Sequence, residues 1–142
     1  MTPRNPAFDE AVRASFARQG MMRLLGAEIV ALAPGRCTIA APVRPETSQQ
    51  HGFAHAGLAW TIGDSAAGYS ALSLRAADEE VLTVEMKVNL IAPARGQRLV
   101  AEGRVIRSGR TLVTVAAEVH AEEGATRTHV ASMLGTIIAV RA

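Results

Sequence analysis

Ala56-Gly57-Leu58-Ala59-Trp60-Thr61-Ile62-Gly63-Asp64-Ser65-Ala66-Ala67-Gly68-Tyr69-Ser70-Ala71-Leu72 contains a single charged side chain, Asp64. A surface helix carries charge along one side, and this stretch does not. A helix that is apolar almost all round has to be wrapped by other structure. An ionised carboxylate in such surroundings costs on the order of several kcal/mol unless it is paired or has a chemical task. Asp64 is also the only acid between Glu46 and Asp78. Just upstream, Gln49-Gln50-His51-Gly52-Phe53-Ala54-His55 forms a polar cluster that leads into the same helix. An acid in an apolar helix, a helix N-terminus and a polar loop together point to a reaction site.

Outward from this helix, expected over His55 to Leu74, the chain changes character. On the N-terminal side, Phe8 to Gln19 (about residues 7–19) has Phe8, Val12, Phe16 and Gln19 spaced by three or four. That spacing predicts an amphipathic helix stopped by Gly20. Leu24 to Leu32 reads as extended, Ala33-Pro34-Gly35-Arg36 as a turn, and Cys37 to Val43 as a partner strand. Arg44 to Ala54 is a polar loop long enough to carry function.

On the C-terminal side the period becomes two. Leu82, Val84, Met86, Val88 and Leu90 are expected on one face of a strand from Val81 to Ile91. Thr83, Glu85, Lys87 and Asn89 are expected on the other. Leu99 to Arg107, Thr111 to Ala121 and Arg127 to Val140 follow as strands, with hairpin turns at Ser108-Gly109 and Glu123-Gly124. The sum is an α+β architecture in which a curved antiparallel sheet wraps one long helix.

A chain of 142 residues with 49% hydrophobic and 20% charged side chains is expected to form one compact domain over 1–142. The net charge is only +2, Lys87 is the sole lysine, and the arginines are dispersed among few aromatics. A nucleic-acid surface needs a basic stripe with stacking platforms, so none is expected. The apolar runs are too short to cross a bilayer, and the first residues lack the apolar segment of a secretory signal. Cys37 is the only cysteine, which excludes an internal disulfide and fits the cytoplasm.

Plainer readings of these residues stand beside the functional one. Asp64 could cap a second helix that begins after Gly63. His51 and His55 have the four-residue spacing of a metal pair, but Gly52 between them argues against a continuous helix and no metal is expected. Cys37, Trp60 and Tyr69 suit packing, and Ser65 has no histidine at a spacing that suggests a triad. Arg107 and Arg110 flank a turn and are either solvated or anion-binding.

The chain resembles the hotdog-fold acyl-CoA thioesterases, in particular the phenylacetate-pathway type. The resemblance rests on His55-Ala56-Gly57 followed by Asp64 and Ala66-Ala67-Gly68-Tyr69. It continues through Thr83-Val84-Glu85-Met86-Lys87-Val88-Asn89-Leu90, Pro93-Ala94 and Ser108-Gly109-Arg110-Thr111. It spans about Met22 to Val140. Ala56 stands where the family has its usual first glycine, and Gln49 where many members have asparagine.

The resemblance implies a thioester carbonyl polarised by the N–H groups of Ala56 and Gly57 at the helix start. Asp64 would be general base or nucleophile, Thr83 would position water or the acid, and Gln49 would complete the catalytic set. Gln50, His51 and His55 would line the pocket, while Arg107, Ser108 and Arg110 would hold the phosphates of coenzyme A. Coenzyme A is then part of the substrate, and no separate cofactor is expected. The resemblance further implies a homodimer or dimer of dimers, a homotetramer, whose sites are shared between subunits. The acyl group would be small or aryl. Two rivals on the same fold are a non-catalytic acyl-CoA-binding module, which would not need Asp64, and a hydratase or dehydratase.

Overall fold

The computed structural model describes residues 1–141. Three helices, α1 (Phe8–Arg18), α2 (Gly20–Leu25) and α3 (Ala56–Leu72), accompany six strands. The strands are β1 (Glu28–Ala33), β2 (Arg36–Pro42), β3 (Glu79–Leu90), β4 (Arg98–Ser108), β5 (Leu112–Glu123) and β6 (Thr126–Arg141). They form one antiparallel sheet in the order β1-β2-β4-β5-β6-β3, which leaves β1 and β3 at the edges. α3 lies across the sheet and packs on β2, β3, β4 and β5. This is the sheet-wrapped helix that the apolar run demanded.

The small residues of α3 let the sheet come close. Ile62, Ala66, Ala67 and Ala71 are fully buried against Ile39, Leu99, Val115 and Val119. At the tightest crossing a methyl group on Gly103 of β4 would collide with the backbone of Ala66. Because backbone cannot swing aside as a side chain can, Gly103→Ala is expected to destabilise the fold by about 1–3 kcal/mol, measurable by thermal unfolding. Cys37 is buried in β2, and burial pushes its thiol pKa up to about 12. That makes it an inert core residue.

Four expectations need correction. α3 is continuous from Ala56 to Leu72, so Asp64 caps no second helix. Gly20 does not end the helical segment. Gln19 breaks it with extended backbone, and Gly20 starts α2, which includes Leu24. Met22 and Leu25 bury one face of this short helix, and Gly26 closes it at φ +63° while Ala27 N–H donates to Met22 O (2.9 Å). A left-handed glycine after the last turn is an ordinary helix stop.

The loop from Arg44 to Ala54 also contains a 3₁₀ turn over Pro45–Thr47 and a bridge between Ser48 and Ala54. Lastly, the strict alternation of β3 fails. Thr83 pairs with Ile137 and Glu85 with Thr136, so Val84 is an extra residue, a bulge. A bulge shifts the face pattern by one residue. Val81 and Thr83 before it therefore turn toward α3, as do Met86 and Val88 after it, while Leu82, Val84 and Leu90 are exposed.

Candidate active site

Asp64 sits half-buried in the middle of α3, and Thr83 Oγ1 donates a hydrogen bond to its Oδ1 at 2.7 Å. The bulge at Val84 delivers that hydroxyl. No ion pair involves Asp64 among the described residues. Its pKa is therefore raised above the ordinary carboxylate value, because burial disfavours the charge and the Thr83 hydrogen bond offsets only part of that effect. The carboxylate borders a small polar cavity of about 110 Å³ with Ser15, Gln19, Ser65, Tyr69 and Thr83. Gln19 Nε2 donates to Tyr69 Oη at 2.9 Å, pinning the α1–α2 corner beside the acid.

The start of α3 is built differently. His55 is its N-cap, with extended backbone (φ −64°, ψ 143°), and its Nδ1 accepts from Gly57 N–H at 2.8 Å. The ring is thus an acceptor that fixes the helix start. The backbone N–H of His55 donates to Thr47 O at 2.9 Å. The Gly57 N–H is occupied, whereas the Ala56 N–H has no acceptor among the described residues.

A cavity of about 560 Å³ opens here, lined by Gln49, Gln50, Phe53, His55, Ala56 and Pro93 among others. Gln49 Oε1 accepts from His51 N–H, and Gln49 N–H donates to Phe53 O at 2.8 Å, so the loop is folded on itself. Gly52, at φ +82°, makes that reversal. The guanidinium of Arg95 lies 4.4 Å above the Phe53 ring.

The fold therefore brings Gln49, Gln50, His55 and Ala56 together, and separately Asp64 with Thr83. His51 is exposed and outside the larger cavity. Within one chain the two groups stay apart, since eight residues at 1.5 Å rise separate Ala56 from Asp64 by roughly 12 Å. Arg107, Ser108 and Arg110 are exposed at the β4–β5 turn, in a third place. Ser108 and Arg110 border a cavity of about 490 Å³ with Arg4 and Arg75. Sequence reasoning missed Ser15, Gln19 and Arg75. The polar pair at i and i+4 on an otherwise packing helix was the one available signal for the first two.

One further cluster has the residue types of a hydrolase. Ser132, His129 and Glu118 meet on the sheet, with Ser132 Oγ and Glu118 Oε2 at 3.2 and 2.6 Å from the same nitrogen, His129 Nε2. A triad needs serine and acid on opposite ring nitrogens, and here the serine hydroxyl donates to the glutamate itself. This cluster cannot relay a proton from a nucleophile.

With the geometry in place, comparison with known proteins decides the family. The model of the thioesterase superfamily matches residues 51–128, more than half of the chain and including both Ala56 and Asp64. The chain belongs to the thioesterase superfamily. It is a thioester hydrolase on a hotdog fold. A solved structure of a thioesterase family protein from Silicibacter pomeroyi is 42% identical, with 95% of this chain and 99% of that one covered and a TM-score of 0.93. PaaI from the phenylacetic acid degradation operon of E. coli shares the fold at 16% identity, with 96% of each chain covered and a TM-score of 0.83. A putative esterase of Saccharolobus solfataricus is 28% identical over 104 residues, 73% of this chain and 74% of the relative. α1 lies outside the matched segment, so the family pattern says nothing about the Ser15 and Gln19 contacts.

Proposed function

We propose that the protein hydrolyses acyl-CoA thioesters with a small or aryl acyl group, and that Asp64 of one subunit works against the helix start of the other. The observation that carries this reading is Asp64 itself, a carboxylate with raised pKa, one hydroxyl donor and no cation, in the wall of a polar cavity. A catalytic base needs that combination, whereas a structural acid would be paired.

In the proposed reaction the thioester carbonyl oxygen accepts from the partner subunit's Ala56 N–H, at the positive end of the helix dipole. Gly57 contributes through its tie to His55, which holds the first turn in place. The Asp64 carboxylate takes a proton from water as the oxygen of that water adds to the carbonyl carbon. The C–S bond then breaks, and the departing thiolate receives the proton from Asp64. Thr83 orients the acid, and Gln49 and Gln50 face the acyl group from the loop. The variant in which Asp64 attacks directly through an anhydride is separated by a single turnover in ¹⁸O-water. Label in the carboxylate of Asp64 supports the anhydride, and label only in the product acid, with no acyl-enzyme trapped by borohydride, supports the base.

The separation of Asp64 from Ala56 within one chain supports a shared site. So does β3, an edge strand that exposes Leu82 (59%), Val84 (57%) and Leu90 (58%). An open apolar edge invites pairing with another strand. A homodimer or dimer of dimers, working in the cytoplasm, follows from this reading. Mixing inactive Asp64→Asn with a helix-start variant tests it directly. Shared sites restore activity in the mixed dimer, and sites confined to one chain do not.

A further inference from the structure

Arg75 is the one charged side chain that is buried among the described residues, at 2% exposure. It follows the C-cap of α3, where Ser73 Oγ accepts from Gly35 N–H at 2.8 Å and ties the helix end to the β1–β2 turn. No carboxylate closes an ion pair on Arg75 among the described residues. Its guanidinium instead donates to Arg110 O (3.2 Å), Gly109 O (3.2 Å) and Ser108 Oγ (3.3 Å), while Nε has no partner. Glu79 is the acid whose charge acts on it, and that carboxylate is already engaged by Arg4 and by Ala76 N–H (3.0 Å).

A buried charge satisfied by carbonyls rather than by a carboxylate is a poor stabilising device, since an apolar side chain could fill the same volume without the desolvation cost. Its arrangement makes sense if the turn is the object. Three acceptors of one turn converge on one planar fork, a geometry that arginine can span and lysine cannot. Gly109 N–H donates to Leu112 O at 2.8 Å and closes the turn from the other side. The side chains of Arg107 and Arg110 remain exposed and free of ion pairs among the described residues. A buried positive charge below and two exposed ones above make a place for a polyanion.

We propose that Arg75 is a positioning residue that holds the Ser108–Arg110 turn as a cradle for the phosphates of coenzyme A and locks it to the helix that bears Asp64. The proposal rests on the reading of that turn as the phosphate contact. Arg75 itself touches no substrate.

Four proteins test it: the parent, Arg75→Met, Arg75→Lys and Arg110→Ala. In Arg75→Met, amide exchange at residues 109–112 of the free protein is expected to accelerate by about tenfold or more. Its KM for an acyl-CoA is expected to rise by about tenfold, with kcat within about twofold of the parent. For a thioester of pantetheine, which lacks the nucleotide phosphates, the KM of the same variant should stay within about twofold. Arg75→Lys keeps the charge but loses the fork, so it should show the same exchange and KM defects in smaller measure. It carries the test if the methionine variant does not fold.

Parental exchange in the folded variants would overturn the positioning role. Faster exchange with a parental KM, while Arg110→Ala raises KM, would show that the hold of Arg75 on the turn is not used by substrate. If neither Arg110→Ala nor the Arg75 variants move KM, the phosphate reading of the turn is wrong and the proposal falls with it.

Discussion

At its start α3 offers a backbone donor and no charge, while about two turns further on it offers a charge and no backbone donor. The two regions also differ in their surroundings. Ala56 opens on a cavity of about 560 Å³ walled by a folded polar loop, and Asp64 on one of about 110 Å³ crossed by side-chain hydrogen bonds. In the proposed reaction the first region polarises by geometry alone, through an N–H that the helix leaves over. The second depends on a protonation state, and its neighbours set that state. The proposed hydrolysis uses both, and the straightness of a helix keeps one chain from presenting them to the same atom.

The largest effect is expected at the acid. Asp64→Asn removes the proposed base while keeping the shape and the acceptor for Thr83, and turnover should fall by about 10²–10⁴. A correctly folded variant with near-parental kcat would take Asp64 out of the mechanism.

Next comes the helix start. Ala56→Pro deletes the free N–H and nothing else of consequence. Proline is tolerated at the first helical position, and His55 already has the extended backbone that proline requires before it. Loss of one oxyanion donor predicts about a 10²–10³ fall in kcat with an intact far-UV spectrum. If Ala56→Pro matches the parent, the carbonyl is held elsewhere. Mixed with Asp64→Asn, it also serves as the partner variant for detecting shared sites.

A smaller change tests how the acid is tuned. Thr83→Val removes the hydrogen bond that favours the charged form of Asp64, so the acid limb of the kcat/KM profile should move to higher pH. At neutral pH the rate should fall by less than in Asp64→Asn, since the carboxylate itself is kept. An unmoved acid limb would leave Thr83 with a packing role only. Glu80 and Tyr69 are the other titratable groups that border this cavity, and a limb that follows Glu80→Gln instead would reassign the titration.

The two regions were not equally legible in the sequence. The helix announced itself because an apolar run of that length has few other fates, and the lone carboxylate within it was visible for the same reason. His55 as the boundary residue followed from the polar loop before it. The partner of Asp64 was harder. β3 alternates without a flaw in sequence, which put Thr83 opposite Met86, and only its register against β6 creates the bulge that turns both toward α3. Likewise Gln19 and Tyr69 are 50 residues apart, and Arg75 holds a turn 33 to 35 residues away. Local pattern carries no information about such pairs, since tertiary packing sets them.

The smallest predicted effect runs the opposite way to the first. Asp64 has a folded-state pKa above its unfolded value, because burial penalises the carboxylate. Between those two values the folded chain binds more protons than the unfolded one, so stability is fully present below the unfolded pKa and is lost as pH rises through the folded pKa. At neutral pH the native protein therefore carries an uncompensated cost at this position. Asp64→Asn has no charge to bury and can still accept from Thr83, so it should be more stable than the parent at neutral pH. The gain should be about 0.5–2 kcal/mol, the usual range for one stabilising substitution, or a rise of a few degrees in Tm. It should shrink toward zero in mild acid, where the parent protonates Asp64 as well. Thermal unfolding of both proteins across that pH range checks the sign. A variant less stable than the parent at neutral pH would mean that the carboxylate is held by attractive contacts in the assembled protein. In that case the helix start of a neighbouring subunit is the donor to examine first.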